Sequence, residues 1–346
     1  MMTGHIGEGG TLAEAFSDAS AEPIWPSLLA GAIRNVDELW KLLALPEEAL
    51  PAAREAAKLF PLLVPRGFLA RMRPGDLADP LLRQVVPLGD ECAVVPRFSD
   101  DPLAEAGCSP VPGMLHKYEG RVLLVTTGAC AVHCRYCFRR HFPYDELPRG
   151  RRWWEPSVAW LRSQPTIDEV LLSGGDPLTL PDSILAALTA DLAAVPHLRR
   201  LRLHTRLPVV LPERVDGRLC AWLSSCRLKS VVVIHANHAR EIDGGVAAAC
   251  ARLRLAGATV LNQAVLLAGV NDSVAAQAEL SRALFDAGVL PYYLHQLDRV
   301  AGAAHFAIED DVAIALHREL AAILPGYLVP RLVREEPGAP GKTPLR

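Results

Sequence analysis

The chain has 346 residues, 50% hydrophobic and 22% charged, a composition that supports a sizeable core and excludes global disorder. Length leaves one domain or two open, because parallel barrels of similar size form single units. With 36 basic against 39 acidic residues and no block of like charge, no nucleic-acid or anionic-membrane footprint is present, and small-molecule chemistry becomes the default.

At the N-terminus, Glu8, Glu14 and Asp18 stand where a signal peptide has a basic start and an apolar stretch. No apolar run anywhere approaches the roughly 18 residues that span a bilayer, so a cytoplasmic protein without membrane or nucleic-acid partners is expected. Residues 1–115 read as an N-terminal helical collar, with helical patches at Ser27–Leu45 and Pro51–Phe60 interrupted at Pro61, Pro65 and Pro74. No concentrated function is expected of this part.

From about residue 120, short β-branched runs alternate with helical segments, the pattern of a parallel α/β sheet. The predicted strands are Arg121–Thr127, Glu169–Ser173, Arg199–Thr205, Ser230–Ala236, Ala258–Leu267 and Leu290–Gln296. Helices are predicted at Leu180–Ala194, Gly244–Leu255, Ser273–Ala287 and Asp310–Leu324, supplying crossovers. Six strands and their helices make a partial (β/α)6 TIM-like barrel over residues 116–335. In such sheets chemistry gathers at the C-terminal strand ends. The last segment, residues 336–346, is too rich in Gly and Pro for a helix or strand and reads as either a frayed tail or a functional loop.

Of eight cysteines, only Cys130, Cys134 and Cys137 cluster, on the loop leaving the first predicted strand. In a cytosolic chain that spacing points to metal or redox chemistry rather than disulfides. Structural zinc wants four protein ligands, and the fourth would be His133, His141 or a distant residue. A [4Fe-4S] cluster normally takes four thiolates, so three leave one iron open to a substrate or cofactor. Ser173-Gly-Gly-Asp-Pro177 follows the second strand, where a plain turn is the simpler reading. His204, Arg206, His235, Asn262 and Gln263 add polar groups near later strand ends, a series that fits the lining of one ligand site.

Lysine is scarce: only Lys41, Lys58, Lys117, Lys229 and Lys342 occur among the 36 basic residues. A lysine in a Gly/Pro loop, as Lys342 is, can form a Schiff base with pyridoxal phosphate (PLP) while flexible backbone cradles the phosphate. A mobile tail is the alternative.

The C-x3-C-x2-C pattern, with Tyr136 before its last cysteine, resembles the radical S-adenosylmethionine (SAM) signature, in which SAM chelates the open iron. From His116 to Leu345 the chain further resembles the lysine 2,3-aminomutase family of PLP-dependent radical SAM enzymes. The resemblance is carried by His116-Lys-Tyr-Glu-Gly-Arg121, the cysteine loop with Phe138-Arg-Arg140, Ser173–Pro177, Arg206–Pro212, Asn262–Leu267, Gly269–Asp272, Pro291-Tyr-Tyr293 and Pro340–Pro344. It implies a radical SAM barrel with Cys130, Cys134 and Cys137 on the cluster. It further implies SAM near Tyr136, Ser173, Gly174, Gly175, Asp176, His204, Arg206, His235 and Gln263. Lys342 is the implied PLP lysine, with Lys117 and Arg121 near the cofactor; the family usually has arginine at position 117. Arg139 matches the arginine that pairs with the substrate carboxylate. Asp298 and Glu335 match the two acids that hold the far amino group of lysine, the second usually Asp.

Within the family the chain is most like a short, EpmB-type branch. That likeness implies conversion of (S)-α-lysine to (R)-β-lysine, with links to elongation factor P and its β-lysine ligase. Ser273 stands where longer relatives have a zinc cysteine. The implied reaction starts when the cluster, reduced by flavodoxin or ferredoxin, splits SAM to a 5′-deoxyadenosyl radical. The radical takes hydrogen from Cβ, and the amino group migrates from Cα. The residues alone also allow an aminomutase for another cationic amino acid, or a non-enzymatic iron-sulfur or zinc scaffold.

Overall fold

The computed structural model describes residues 19–346; Glu8, Glu14 and Asp18 lie outside them. Its strands are β1 (Met114–Tyr118), β2 (Arg121–Thr127), β3 (Glu169–Gly174), β4 (Arg200–Thr205), β5 (Lys229–Ile234), β6 (Thr259–Val265), β7 (Leu290–His295), β8 (Arg331–Arg334) and β9 (Thr343–Pro344). They form one sheet in chain order. β2 through β8 run parallel, and β1 and β9 are antiparallel edge strands.

The six predicted strands are therefore present as β2 to β7, but the parallel series has a seventh member. β8 is only four residues long, too short to show a period. The expectation that residues 336–346 form no strand is corrected as well. The chain reverses through Gly338, whose φ is +76°, and Thr343–Pro344 pairs with Arg334 and Val333. Proline is tolerated there because β9 is an edge. This return places Lys342 beside the end of β8.

The sheet curls around a single space. One cavity of about 480 Å³ is lined by residues from β1 to β7, among them Lys117, Arg121, Ser173, His204, Val231, Gln263 and Tyr293. Glu169, Leu171 and Ser173 all face it, as do Arg202 and His204, the period of two of a strand with one face turned inward. A flat sheet could not bring seven strands to one cavity, so the architecture is a partial barrel.

Crossover helices follow where predicted, at Asp182–Ala193, Gly244–Leu255, Val274–Asp286 and Asp310–Ile323. Asp243 and Ser273 cap two of them by accepting from the amides of Val246 and Ala276. Ser273 thus serves the local structure as a helix cap.

The predicted helix Ser27–Leu45 is two helices, Trp25–Ala30 and Val36–Leu42. Between them Ile33 exchanges backbone hydrogen bonds of 2.8 and 3.0 Å with Val64, and Asn35 caps the second helix. Trp40, Phe68 and Leu82 of the collar belong to the same apolar core as Leu124, Leu172 and Leu203 of the sheet. Among the described residues no helix is long and apolar enough to cross a membrane.

Candidate active site

Lys342 lines the 480 Å³ cavity. Its Nζ lies 3.0 Å from His295 Nε2 and 3.1 Å from Glu335 Oε2. Burial, with Lys342 nearby, holds His295 well below the usual histidine range, so its neutral ring accepts an N–H from the lysine. Against the effect of burial, Lys342 and Lys117 hold Glu335 down to about 2. Lys117 Nζ sits 3.2 Å from Glu335 and 3.0 Å from Glu105. Arg121 stacks over the Tyr118 ring at 4.5 Å and lines the same cavity. An amine that shares its cavity with Lys117 and Arg121 suits a phosphorylated aldehyde such as PLP.

A smaller cavity of about 170 Å³ adjoins the first, the two sharing Phe138, Arg139, Ser173, His204, His235, Gln263 and Glu335 in their walls. Cys130, Cys134 and Cys137 border it with Gly174 and Gly175. Burial, with the other two sulfurs nearby, raises Cys130 well above the usual thiol range, and burial with Cys134 pushes Cys137 up to about 11. Among the described residues no three His, Cys, Asp or Glu side chains are drawn into metal-site geometry; the three thiols share one cavity wall. Thiols of this number on one wall, beside glycine backbone that a ligand can approach, fit an iron-sulfur cluster with an open iron.

The glycines are required by space. Gly174 has φ +113°, and a Cβ on Gly175 would sit 2.3 Å from the Ala129 carbonyl oxygen at the root of the cysteine loop. Gly175→Ala should therefore displace that loop, costing about 1–3 kcal/mol in stability and lowering iron uptake. Melting temperature and iron content in the variant check this, and wild-type values for both would show that the loop yields freely.

Arg206 reaches the cluster loop directly. Its Nη1 donates to Cys134 Sγ at 2.8 Å, while Nη2 is held by Gln84 Oε1 at 2.6 Å and Glu241 Oε2 at 2.9 Å. Asn237 joins the same network, donating to Gln84 at 2.9 Å and to the Tyr136 hydroxyl at 2.7 Å. Gln84, Asn237 and Glu241 escaped sequence reading, since they meet only through the fold.

His204 and His235 approach at 3.4 Å. Burial and nearby positive groups push His204 well down and His235 down to about 4, so both rings are neutral. Among the described residues His204 Nε2 and Gln263 Oε1 are buried without partners, on two side chains lining both cavities where a ligand would satisfy them. Asn262, on the opposite face of β6, is instead engaged with the backbone of Ala236.

Asp176 lines the smaller cavity while its carboxylate is engaged by the protein. Its carboxylate oxygens accept from Thr205 Oγ1, at 2.7 and 2.9 Å, and from the amides of Leu178, Arg206 and Leu207. It ties the end of β3 to the end of β4 and shapes the Gly-Gly turn, with its lone pairs turned to the protein.

Arg139, Asp298 and Glu335 come together on the smaller cavity, with an unexpected companion. Arg139 is buried, its Nε and Nη2 each 2.8 Å from a Glu105 oxygen and its Nη1 3.2 Å from Ser173 Oγ. Glu105 belongs to the collar. Glu91, also from the collar, binds Arg135 at 2.7 and 2.6 Å and Arg140 at 3.0 Å, the two arginines that flank Cys137 in the chain. The two acids differ. Glu335 is paired with Lys117 and Lys342, whereas Asp298 makes no side-chain hydrogen bond or ion pair among the described residues. Burial and the nearby Glu335 push Asp298 up to about 7.

No family model matches the chain. It is 51% identical over 322 residues to an L-lysine 2,3-aminomutase of Escherichia coli (strain K12), spanning 93% of this chain and 94% of that one. A Haemophilus influenzae L-lysine 2,3-aminomutase is 46% identical, spanning 93% and 95%. One from Clostridium subterminale is 35% identical, spanning 93% and 77%. Among solved structures, a radical SAM methyltransferase from Sphaerobacter thermophilus aligns over 64% of this chain and 68% of that one, at 20% identity and a TM-score of 0.43. Identity of 51% over nearly the whole length of a named relative establishes that the chain belongs to the L-lysine 2,3-aminomutase family.

Proposed function

We propose that the two adjoining cavities divide the work of an L-lysine 2,3-aminomutase, the larger holding PLP and the smaller the [4Fe-4S] cluster and SAM, with the substrate reaching across their shared wall to Asp298. The family membership makes the chain an isomerase of L-lysine that works with these three cofactors. The observation that carries the division is the shared wall, because a radical generated on one side must reach a substrate atom on the other without meeting water. When bound, the cofactors supply hydrogen abstraction and a carrier for the migrating amino group.

The chain's own residues bind, orient and shield. Cys130, Cys134 and Cys137 hold the cluster, and Arg206 fixes the Cys134 sulfur. Ser173, Gly174 and Gly175 give SAM a backbone surface, while His204, His235 and Gln263 offer neutral acceptors and donors between the cavities. Lys342 attaches PLP, and Lys117 and Arg121 face its phosphate. Arg139 takes the substrate carboxylate and Asp298 the far ammonium, with Glu335 beside it. Two anionic groups at that end would repel glutamate and favour a cationic side chain.

The deciding experiment is anaerobic turnover by reconstituted enzyme with a panel of free amino acids, read by chiral chromatography. Conversion of (S)-α-lysine to (R)-β-lysine is expected. Rearrangement of ornithine or arginine with lysine untouched overturns the substrate. In the same preparation Cys134→Ala should lose iron and SAM cleavage together; stoichiometric zinc without iron in the wild type would defeat the cluster assignment.

The 51% identity to the E. coli relative, against 35% to the clostridial one, supports placing the chain in the EpmB-type branch. On that reading it is a cytoplasmic enzyme that takes free lysine, receives electrons from flavodoxin or ferredoxin, and passes β-lysine to the ligase that modifies elongation factor P. Elongation factor P from a strain lacking this gene should then lose its β-lysyl mass.

A further inference from the structure

We propose that Glu105 is a positioning residue for substrate: it locks one edge of the Arg139 guanidinium so that the other edge is presented to the amino acid's carboxylate. The proposal rests on the reading of Arg139 as the carboxylate-binding residue. Glu105 comes from outside the barrel, on the short 3-10 turn Glu105–Cys108, and the backbone is bent to deliver it. Ala104, just before it, adopts a left-handed conformation at φ +50° without being glycine, and Asp101 accepts from the Glu105 and Ala106 amides at 3.0 and 3.4 Å. Unfavourable backbone of this kind persists where the surrounding structure over-determines it.

The geometry around Arg139 leaves few options. Phe138 covers the guanidinium at 4.7 Å, with the Phe142 ring at 6.0 Å, so hydrogen bonding is confined to the edges. Glu105 takes the Nε–Nη2 edge in a two-bond fork, both groups being buried. The Nη1–Nη2 edge remains, beside Ser173 Oγ, where the two cavities meet. A guanidinium can hold one carboxylate on each edge, and the first fixes the direction of the second. The same Glu105 also holds Lys117 Nζ at 3.0 Å, so one collar carboxylate sets the spacing between the substrate's carboxylate and a basic group near PLP.

The test uses the PLP- and cluster-loaded enzyme with Glu105→Gln and Glu105→Asp, reading lysine dissociation constants by equilibrium dialysis alongside steady-state KM and kcat. A carboxylate-free probe, 1,5-diaminopentane, is measured in parallel. Glu105→Gln should weaken lysine binding on the order of 10-fold or more, since misplacing a clamp by an ångström has effects of this size. KM should rise more than kcat falls, Glu105→Asp should recover part of the loss, and diaminopentane binding should not change. Unchanged lysine affinity overturns the proposal. So does tighter binding, which would show that Glu105 competes with substrate, or an equal loss for diaminopentane, which would show general damage. Wild type that binds no lysine sinks the substrate reading instead, and the titration is then run with whichever cationic amino acid it binds, because the α-carboxylate is common to all.

Discussion

Lys342→Ala enzyme should fall to background turnover and carry no covalently trapped PLP while keeping its iron. PLP attachment needs an amine with a proton acceptor beside it, and two lysines line the larger cavity, Lys117 and Lys342. Lys117 is held by two carboxylates, Glu105 and Glu335. Lys342 has one carboxylate and the neutral imidazole of His295 at 3.0 Å. Borohydride reduction followed by peptide mass analysis should place PLP on Lys342 alone in the wild type and on no lysine in the variant. PLP found on Lys117, or trapping undiminished in Lys342→Ala, would reverse the assignment, whereas equal iron content in both proteins separates this loss from unfolding.

Legibility in the sequence followed the range of the interactions involved. The strands β2 to β7 were readable because each is a short local run with apolar residues, and the polar residues at their C-terminal ends stood out for the same reason. Strand β8 and the edge strands β1 and β9 were not readable: β8 and β9 are too short, and β1 carries His116 and Lys117 among its five residues. Glu105 was invisible because its meaning lies entirely in partners outside its own turn, Arg139 at 34 residues downstream and Lys117 on β1. Gln84 and Glu241 are 157 residues apart and meet under Arg206. Asp176 was readable as important but its role was not, since a strand-end carboxylate looks the same in sequence whether it faces a ligand or, as here, Thr205 and three backbone amides. The collar is the clearest case. Its charges have no period and no motif, yet Glu91 and Glu105 fix the arginines on which the site depends.

Asp298→Asn should cripple lysine turnover and, in the same protein, raise thermal stability at neutral and alkaline pH. A charge-assisted contact to the ε-ammonium, broken in a site that excludes water, costs about 2–5 kcal/mol, or about 30-fold to several thousand-fold in kcat/KM. The stability gain follows from the carboxyl's position, deep in the smaller cavity with no cation paired to it and pushed up to about 7 by burial and Glu335. An acid whose folded pKa lies above its unfolded value binds its proton more tightly when folded. Stability therefore falls as pH rises from about 4 to about 7 and stays lower above. Asparagine removes that penalty, so the variant should melt a few degrees higher at pH 8 and match the wild type near pH 4. The same titration should appear in wild-type kcat/KM for lysine as an acid limb near pH 7, because the ε-ammonium is charged throughout this range and only the carboxylate changes. Glu335→Gln should behave differently: Glu335 is already paired with Lys117 and Lys342, and its loss leaves those cations less well matched, lowering stability. Wild-type lysine kinetics in both Asp298→Asn and Glu335→Gln would end the assignment of this acidic pair to the substrate's far amino group, and an Asp298→Asn protein that is less stable at pH 8 would show that the carboxylate has a structural partner after all.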